Sequence, residues 1–358
     1  RRGRGPRLRW AWKSGHVWHL AWKVPPLLLA STMEKQKEIF EQALDANCNI
    51  WAKSGLVHMR AGTAKLPTFL SYQDFYRHKP PSGELVFGVG WSKEGPLWQD
   101  LVEAPHILSG GASGSGKTVF LRQAVTNLLL RYGPEQLKLV PIDLKRVEFN
   151  VFRDVPHLLP GIGVVLQLED CDAALSSLSE ELFRRLARLE EAGVENIQNW
   201  NLSNPTEKLA YVLVVIDEVA EVQRSAEAAG SPRASKAQLA KLARICCLGR
   251  AVGIHVMANT QRPDSEMVPG QVKAQMPVTV AFRCRGESNS KILLDSTSAA
   301  VLPPQPGLGI WQWDREVRFQ SPYISKEEAK GLLDQAYPKP IIHLAEEDEE
   351  QTPDEEAA

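Results

Sequence analysis

The sequence predicts an α/β fold in which a largely parallel sheet is flanked by helices. Short strand-like runs alternate along the chain with amphipathic segments, which is the pattern of a sheet covered on both faces. Several of these runs are apolar without a break, as fully buried parallel strands require. In addition, residues 106–110 lead directly into a glycine-rich loop, GASGSGKT, that a helix is expected to follow. At 358 residues the chain is long enough for one large domain or two.

The chain opens with a basic arm. Residues 1–31 carry seven Lys and Arg and no acid, together with four of the ten tryptophans. Mixed basic and aromatic residues suit a nucleic-acid backbone or an anionic membrane surface. The alternatives are a disordered flank, or translated sequence upstream of a start near Met33. We expect this arm to be disordered or to lie beside a membrane.

A small accessory domain is predicted for residues 32–100. It starts with a helical segment at 33–47 and continues into a strand-like portion around 84–91, which glycines interrupt. The large α/β domain is then expected over residues 101–325.

Six strands are predicted within the large domain, at residues 106–110, 138–143, 163–168, 211–217, 255–260 and 279–284. Helices at 170–192 and 235–249 lie between strands, because leucines recur there at helical spacing. A turn-rich surface loop is expected at 226–235. Residues 326–358 are predicted to form a short helix and an acidic, disordered tail.

Cysteine usage and hydropathy indicate the compartment. The five cysteines have no CxxC or zinc-ligand spacing, which predicts reduced thiols in the cytoplasm. The longest apolar runs are far shorter than the roughly 20 residues that cross a bilayer. Because the chain does not begin with Met, two alternatives are kept: a membrane segment upstream of Arg1, and a membrane-anchored partner. A location at the inner face of the cell membrane is the corresponding alternative.

The glycine-rich loop fits the phosphate-binding pattern G-x-x-x-x-G-K-[ST]. Its glycines free the backbone to place amide groups around phosphate oxygens. Lys117 is expected to reach the β- and γ-phosphates of ATP, and the Thr118 hydroxyl to ligate Mg²⁺. The candidate nucleotide-binding residues are Gly111, Ala112, Ser113, Gly114, Ser115, Gly116, Lys117 and Thr118.

Two later strands end in polar residues at the same edge of the predicted sheet. Asp217 lies at the carboxyl end of the predicted strand at 211–217 and is expected to lie beside the Mg²⁺, and Glu218 is suited to polarise the attacking water. Gln261 follows the next strand, and its amide suits a contact to both phosphate and water. The competing interpretations are a solvated strand end for the acidic pair and a polar turn closed by Pro263 for Gln261.

In combination, these strings resemble the motor of the FtsK/SpoIIIE family of double-stranded DNA translocases. The matching strings include PHILSGGASGSGKT, PIDLKRVEFNVFRDVPHLL, VVIDEVAEV, GRAVGIH, NTQRP and VKAQMPVTVAFR, and they run in the family's order from about residue 85 to 325. The resemblance implies a RecA-like fold and a hexameric ring of identical subunits. It also implies pumping of duplex DNA, driven by ATP with Mg²⁺, through the central pore.

The resemblance also assigns roles to individual residues. Glu218 is the catalytic carboxylate, Asp217 holds the metal and Gln261 is the sensor. Arg250 is the arginine that reaches the nucleotide of the neighbouring subunit, with Arg244 as the second choice and an ordinary exposed helix arginine as the alternative for either. Two basic residues of the pore-lining loops are implied to contact DNA, namely Arg262 and Lys273.

Some positions depart from the family's pattern. Val219 replaces an aromatic residue, Asn259 replaces a small one, and Glu287 stands near an expected pore cation, for which Arg283 or Arg285 compensates. The short region after residue 325 leaves no room for a winged-helix DNA reader. We therefore expect a role in conjugative or plasmid DNA transfer, or in chromosome partition. The alternatives are an ATPase of a protein secretion system and a non-hydrolysing scaffold, although the scaffold would need a broken site.

Overall fold

A computed structural model of the chain describes residues 7–23, 35–222, 232–261 and 273–338. The strands within these ranges are β1 (Arg7–Ser14), β2 (Val17–Lys23), β3 (Asn47–Lys53), β4 (Leu56–Gly62), β5 (Val86–Ser92), β6 (Gly95–Asp100), β7 (His106–Gly110), β8 (Leu137–Ile142), β9 (Tyr211–Ile216), β10 (Ile254–Thr260), β11 (Val278–Phe282), β12 (Leu308–Gln312) and β13 (Glu316–Gln320). The helices are α1 (Lys37–Leu44), α2 (Tyr72–Tyr76), α3 (Lys117–Arg131), α4 (Leu168–Glu191), α5 (Ile197–Ser203), α6 (Pro232–Val252), α7 (Glu287–Leu294) and α8 (Lys326–Ala336), and a 3-10 turn spans Phe149–Phe152.

The large sheet has nine strands in the order β6-β5-β13-β12-β11-β7-β10-β9-β8. The five strands from β11 to β8 are parallel to one another, whereas each of the remaining pairings is antiparallel. Every residue of β7, β9, β10 and β11 is buried. The unbroken apolar runs therefore form the centre of the sheet, as buried parallel strands require. This is the predicted RecA-like α/β core.

Helices α3, α4 and α6 enclose this centre. Helix α3 packs against β5, β10 and α8, while α4 packs against α6, which in turn packs against β10. The leucines of α4 that recur at helical spacing are buried, namely Leu175, Leu178, Leu182 and Leu189. The sheet and these helices share one continuous apolar core.

The element predictions hold in most places, with one wrong strand. Helices at 170–192 and 235–249 correspond to α4 and α6. Residues 163–168 do not form a strand, because only Val165 bridges to Ile142 of β8 before α4 begins at Leu168. Of the turn-rich loop predicted at 226–235, residues up to 231 lie outside the described part of the chain, and α6 starts at Pro232.

A second, four-stranded antiparallel sheet has the order β1-β2-β4-β3. The strands β1 and β2 belong to the basic arm, so residues 7–23 form a hairpin instead of the disordered segment that composition predicts. The hairpin is held because β2 pairs along its length with β4. One face of this sheet forms a small core with Phe40 of α1. Residues 1–6 and 24–31 of the arm lie outside the described residues, as does the acidic tail from 339 onward.

The division expected at residue 100 falls inside the large sheet. Strands β5 and β6 form a hairpin that joins the sheet through β13, so residues 86–100 belong to the large domain. The small sheet ends at Gly62, and its link to the large domain is the turn between β5 and β6. There Glu94 pairs with Arg60 of β4 at 3.1 Å and with Arg315 at 2.6 Å. Among the described residues, no helix is long and apolar enough to cross a membrane.

Candidate nucleotide-binding site

A cavity of about 580 Å³ opens at the carboxyl edge of the parallel strands. The loop after β7, Asp217 after β9 and Gln261 after β10 all contribute to its wall. Ligands of open α/β sheets bind at this edge, because loops from neighbouring strands converge there. The structure thus brings together residues that lie up to 150 positions apart in the sequence.

The loop of residues 111–116 is fixed from both sides. The Ala112 N–H donates to the carbonyl of Arg283 at 2.8 Å, and the Gly307 N–H donates to the carbonyl of Ser115 at 2.9 Å. Gly116 has a φ of 111°, and a Cβ there would lie 2.6 Å from the Gly307 nitrogen. Only glycine fits this position, since both the backbone angle and the contact exclude a side chain. Helix α3 begins at the next residue, with its positive end toward the cavity.

The Lys117 side chain is buried at the base of the loop. Its amine donates to the carbonyls of Gly111 at 2.7 Å and Ala112 at 2.8 Å. Burial lowers the pKa of this amine to about 8, although the Glu218 and Asp217 carboxylates act in the opposite direction. The loop therefore holds a cation in place before any phosphate arrives.

Thr118 and Asp217 supply the oxygen atoms that suit a divalent metal. The Thr118 hydroxyl donates to Asp217 Oδ1 at 3.2 Å. Burial raises the pKa of Asp217 above its ordinary value, and nearby Lys145 and this hydrogen bond lower it in part. A hydroxyl and a carboxylate beside a phosphate loop are ligands that Mg²⁺ accepts. The described residues contain no cluster of three or more His, Cys, Asp or Glu with metal-binding geometry, so phosphate oxygens and water would complete the coordination.

Glu218 is buried and held by two partners. The backbone N–H of Gln261 donates to both carboxylate oxygens, at 3.2 and 3.1 Å, and the amine of Lys145 lies 3.3 Å from Oε2. The Gln261 side chain itself is exposed and lines the cavity. The residue after β10 therefore positions the carboxylate that follows β9. The sequence predicted only that these residues share an edge of the sheet, whereas the structure shows that they are in contact.

Asp143 and Lys145 were not among the predicted site residues, although both lie in the matching string PIDLKRVEFNVFRDVPHLL. Both follow β8, the strand beside β9, so they occupy the same edge as Asp217. Asp143 is buried, and its Oδ2 accepts hydrogen bonds from the Glu148 and Phe149 N–H groups at 2.6 and 3.0 Å. Residues 138–143 were predicted to be a strand, so the polar residues at its carboxyl end could have been assigned to the same edge as Asp217.

An aromatic pair lines the other side of the cavity. The rings of Phe69 and Tyr323 are 5.7 Å apart, and they are 63% and 46% exposed. Pro306 and Pro322 line the cavity beside them. Residues outside any nucleotide motif provide this surface, so no spacing in the sequence predicted it.

The predicted arginines lie away from this cavity. Arg250 is exposed in the last turn of α6, next to the start of β10, whereas the loop lies beyond the opposite end of the parallel strands. The seven residues of β10 span about 20 Å at 3.3 Å per residue. Arg244 is also exposed, and its guanidinium lies 5.4 Å from the centre of the Phe183 ring. Neither arginine lines the cavity of its own chain.

The two predicted DNA contacts are described unequally. Arg262 lies outside the described residues. Lys273 is described, and its amine lies 3.4 Å from Oδ1 of Asp295, a carboxylate that is 84% exposed. A partner this exposed leaves the lysine available to a competing anion.

The sequence of the chain is similar to those of known proteins. The model of the FtsK/SpoIIIE family matches residues 72–265. The chain is 34% identical over 267 residues to the DNA translocase FtsK of Helicobacter pylori, an alignment that covers 71% of this chain and 30% of that protein. It is 30% identical over 266 residues to the DNA translocase SpoIIIE of Bacillus subtilis, covering 71% and 32%. The chain thus spans about a third of the length of these relatives.

Solved structures show a similar fold. The monomer form of the pCW3 conjugation coupling protein TcpA with ATPγS superposes with a TM-score of 0.65 at 26% identity, covering 92% of this chain and 93% of TcpA. The cytoplasmic domain of the Thermomonospora curvata type VII secretion ATPase EccC gives a TM-score of 0.61 at 23% identity, over 76% and 33% of the two chains. The EccC likeness concerns the fold alone.

The family match runs from helix α2 to residue 265, and so includes the phosphate loop, Asp217, Glu218 and Gln261. It coincides with the part of the sheet where these residues converge. By sequence match and by fold, the chain is a member of the FtsK/SpoIIIE family.

Proposed function

We propose that this chain is an ATP-hydrolysing motor that moves double-stranded DNA through a ring of its own copies. The observation that carries the proposal is the convergence of Lys117, Thr118 and Asp217 on one cavity, with Glu218 buried behind its wall and held by Gln261 and Lys145. The relatives named DNA translocases, and a neighbour named a conjugation coupling protein, support DNA as the cargo. We propose conjugative or plasmid DNA transfer, or chromosome partition, as the process.

ATP binding rests on two parts of the cavity. Amide groups of the loop and the start of α3 face incoming phosphates, and the Lys117 amine neutralises their charge. The exposed pair Phe69 and Tyr323 offers flat apolar surface to the nucleotide base, which stacks on aromatic rings. Thr118 and Asp217 would hold Mg²⁺, which offsets negative charge on the phosphates when bound.

Hydrolysis requires a base, and we propose Glu218 for that role. Its carboxylate is held in one orientation by the Gln261 N–H and by Lys145, which supports this assignment. The Gln261 side chain, which lies in the cavity wall, is placed to respond to phosphate and to pass the change to β10. Lys145 is a positioning residue here, because its described contact is with the base.

We propose that each site is completed by a neighbouring subunit in a hexameric ring. Arg250 lies exposed at the amino edge of the sheet, far from its own cavity, so we assign it to the nucleotide of a neighbouring chain. Arg244 is the second candidate for this role. Lys273 and Arg262 are proposed to contact DNA phosphates, which position the duplex without reading its bases.

We place the motor in the cytoplasm, with a membrane-anchored partner or an upstream membrane segment as its link to the inner face of the cell membrane. The five cysteines form no disulfide, which supports a reducing compartment.

The test is ATP hydrolysis with and without long duplex DNA. We expect duplex DNA to stimulate turnover of the wild type, and Glu218→Gln to lower kcat about a hundredfold or more. The matched control is Glu207→Gln, since Glu207 is exposed on the loop before β9 and its described contacts involve its backbone alone. Turnover that ignores DNA would overturn DNA as the cargo and favour a protein cargo instead.

The role of Arg250 is tested by mixing subunits. Arg250→Ala alone is expected to lose most turnover, and so is Glu218→Gln alone. Mixed rings of the two variants place an intact arginine beside an intact glutamate at some interfaces, so activity should return in part. Mixed rings without any recovery would contradict an action between subunits.

A further inference from the structure

The small sheet has one face that its core leaves open. Partners in an antiparallel pair project to the same face, so the register assigns each residue to a side. One side carries Ile50, Met59 and Ala61, which are buried with Phe40 of α1. The other side carries Trp10 and Trp12, which are 41% and 51% exposed.

Five rings form a continuous row across this open face. In order they are Trp51, His58, Trp10, Trp12 and His19, with successive ring centres 5.4, 5.4, 6.2 and 4.3 Å apart. The first pair is stacked, with planes 13° apart. We call this set the aromatic row.

The row crosses all four strands because a small residue lies beneath it. Ala21 of β2 pairs in register with both Trp10 of β1 and His58 of β4, and it is fully buried. A larger side chain at this position would separate the two rings. The exposed rings are thus held by the sheet, which limits the rotamer freedom they would lose on binding a ligand.

Positive charge surrounds the aromatic row. By register, Arg7, Lys23, Lys53 and Arg60 lie on the same face, and the four strands of this sheet contain no Asp or Glu. The nearest acidic contact is Glu94, which pairs with Arg60 from the neighbouring turn. An anionic ligand on this face can therefore form ion pairs with the cations, and its flat groups can stack on the aromatic row.

We propose that the open face of the small sheet binds single-stranded nucleic acid, with unpaired bases stacked on the aromatic row. Aromatic rings on a sheet within a basic rim suit this ligand, because every base has a face that stacks and every nucleotide has a charge. A lipid surface fits less well. The polar side chains of His19, His58 and Asn49 lie among the rings of this face, where membrane insertion would place apolar groups.

This function goes beyond the movement of duplex DNA, because the site lies outside the ATP cavity and needs bases that are not paired. It would give the motor a separate binding site for single strands, on a sheet that Glu94 links to the large domain through Arg60 and Arg315.

The test is fluorescence anisotropy with a dye-labelled 20-nucleotide oligo-dT and the full chain, without ATP. We expect Trp10→Ala and Trp12→Ala each to weaken binding about tenfold, as loss of a stacked base does. Trp18→Ala is the matched control: Trp18 is 40% exposed, close to the value for Trp10, but the register places it on the other face. The affinity of Trp18→Ala for oligo-dT should stay within about twofold of the wild type.

Ligand controls separate stacking from charge. An abasic oligomer of the same length and charge should bind about tenfold more weakly, and the equivalent duplex should also bind more weakly. Equal affinity for the abasic oligomer, or equal effects of Trp10→Ala and Trp18→Ala, would overturn the proposal. So would binding to anionic phosphatidylserine vesicles that Trp10→Ala abolishes while oligo-dT binding is unchanged.

The result is independent of the proposed motor. Lys117→Ala should bind oligo-dT as the wild type does, because Lys117 lies in the large domain. If DNA fails to stimulate ATP turnover while oligo-dT binding depends on Trp10, the proposed motor fails and the single-strand site stands. The reverse pattern removes the site and leaves the motor.

Discussion

The carboxyl edge of the large sheet and the open face of the small sheet use the same residue types in opposite ways. In the large domain, rings such as Phe120 and Phe282 are fully buried, and charged side chains such as Lys117 and Glu218 are buried with fixed partners. On the open face of the small sheet, Trp10 and Trp12 are exposed, and so are the cations Arg7, Lys23 and Lys53. Burial thus holds a charge in one geometry, whereas exposure leaves rings and charges accessible to a large ligand.

The largest effect is expected from removal of the buried Lys117 amine. Lys117→Ala should lower ATP turnover about a hundredfold or more, because a preplaced charge at the phosphates is lost. Oligo-dT binding should not change. Steady-state hydrolysis and anisotropy measure the two effects, and the exposed Lys330→Ala is the control for loss of a lysine. A joint loss of both activities would show that the two regions are not independent.

The backbone of the phosphate loop gives the next largest effect. Gly116→Ala should destabilise the protein by about 3 kcal/mol, since it combines a positive φ with a Cβ 2.6 Å from backbone. Gly114→Ala is the matched control: its φ is 74°, but its Cβ would meet nothing within 4 Å, so about 1 kcal/mol is expected. Urea unfolding measures both. Equal costs would mean that the close contact with Gly307 does not constrain the loop.

Buried histidines at the amino edge of the large sheet should make its stability depend on pH. Burial lowers the pKa of His106 to about 3 and that of His255 to about 4, against an ordinary value near 6.5. The folded state therefore binds fewer protons than the unfolded state between about pH 4 and 6.5. The free energy of unfolding is retained above pH 6.5. It decreases as the pH is lowered from 6.5 toward 4, by about 1.4 kcal/mol per pH unit for each histidine.

Urea unfolding at pH 7.5 and pH 5 measures this slope. His106→Asn should reduce it, because asparagine does not titrate but keeps an acceptor for the Val256 N–H, which now donates to His106 Nδ1 at 3.2 Å. The exposed His78→Asn is the control and should leave the slope unchanged.

The smallest effect is expected at the link between the two sheets. Glu94→Gln removes the charge that pairs with Arg60 and Arg315, and partly exposed ion pairs contribute under about 1 kcal/mol each. The free energy of unfolding should fall by under about 1 kcal/mol for each lost pair, while basal ATP turnover is retained. Asp74→Asn, which breaks the exposed pair with Arg77, serves as the control. A large loss of turnover in Glu94→Gln would show that the two sheets act as one unit.

Much of the nucleotide edge could be predicted because its residues follow strands. Apolar runs locate β7, β9 and β10, and parallel strands bring their carboxyl ends to one edge, so Thr118, Asp217 and Gln261 could be grouped without a structure. Lys145 follows the same rule and lies in a matching family string, but no role was predicted for it. Phe69 and Tyr323 could not be grouped, since they come from loops about 250 residues apart, and nothing local relates one to the other.

The small sheet shows the opposite case. Composition marked residues 1–31 as basic and tryptophan-rich, yet pairing of β2 with β4 depends on strands 40 residues further on. Local patterns do not report such pairing, because the energy that orders a hairpin comes from its neighbours in space. The boundary at residue 100 was misplaced for the same reason, since β5 joins the large sheet only through β13.

Motif spacing and apolar periodicity are local properties of the chain, so they were enough to predict the family, the parallel core and the set of residues beside the phosphate loop. Three features required the folded chain: Lys145 and the Gln261 N–H hold Glu218, Arg250 lies at the edge opposite the phosphate-loop cavity, and five rings share one face of the small sheet. The physical reason is that burial, register and contact across strands depend on how distant segments pack, and no local pattern encodes them.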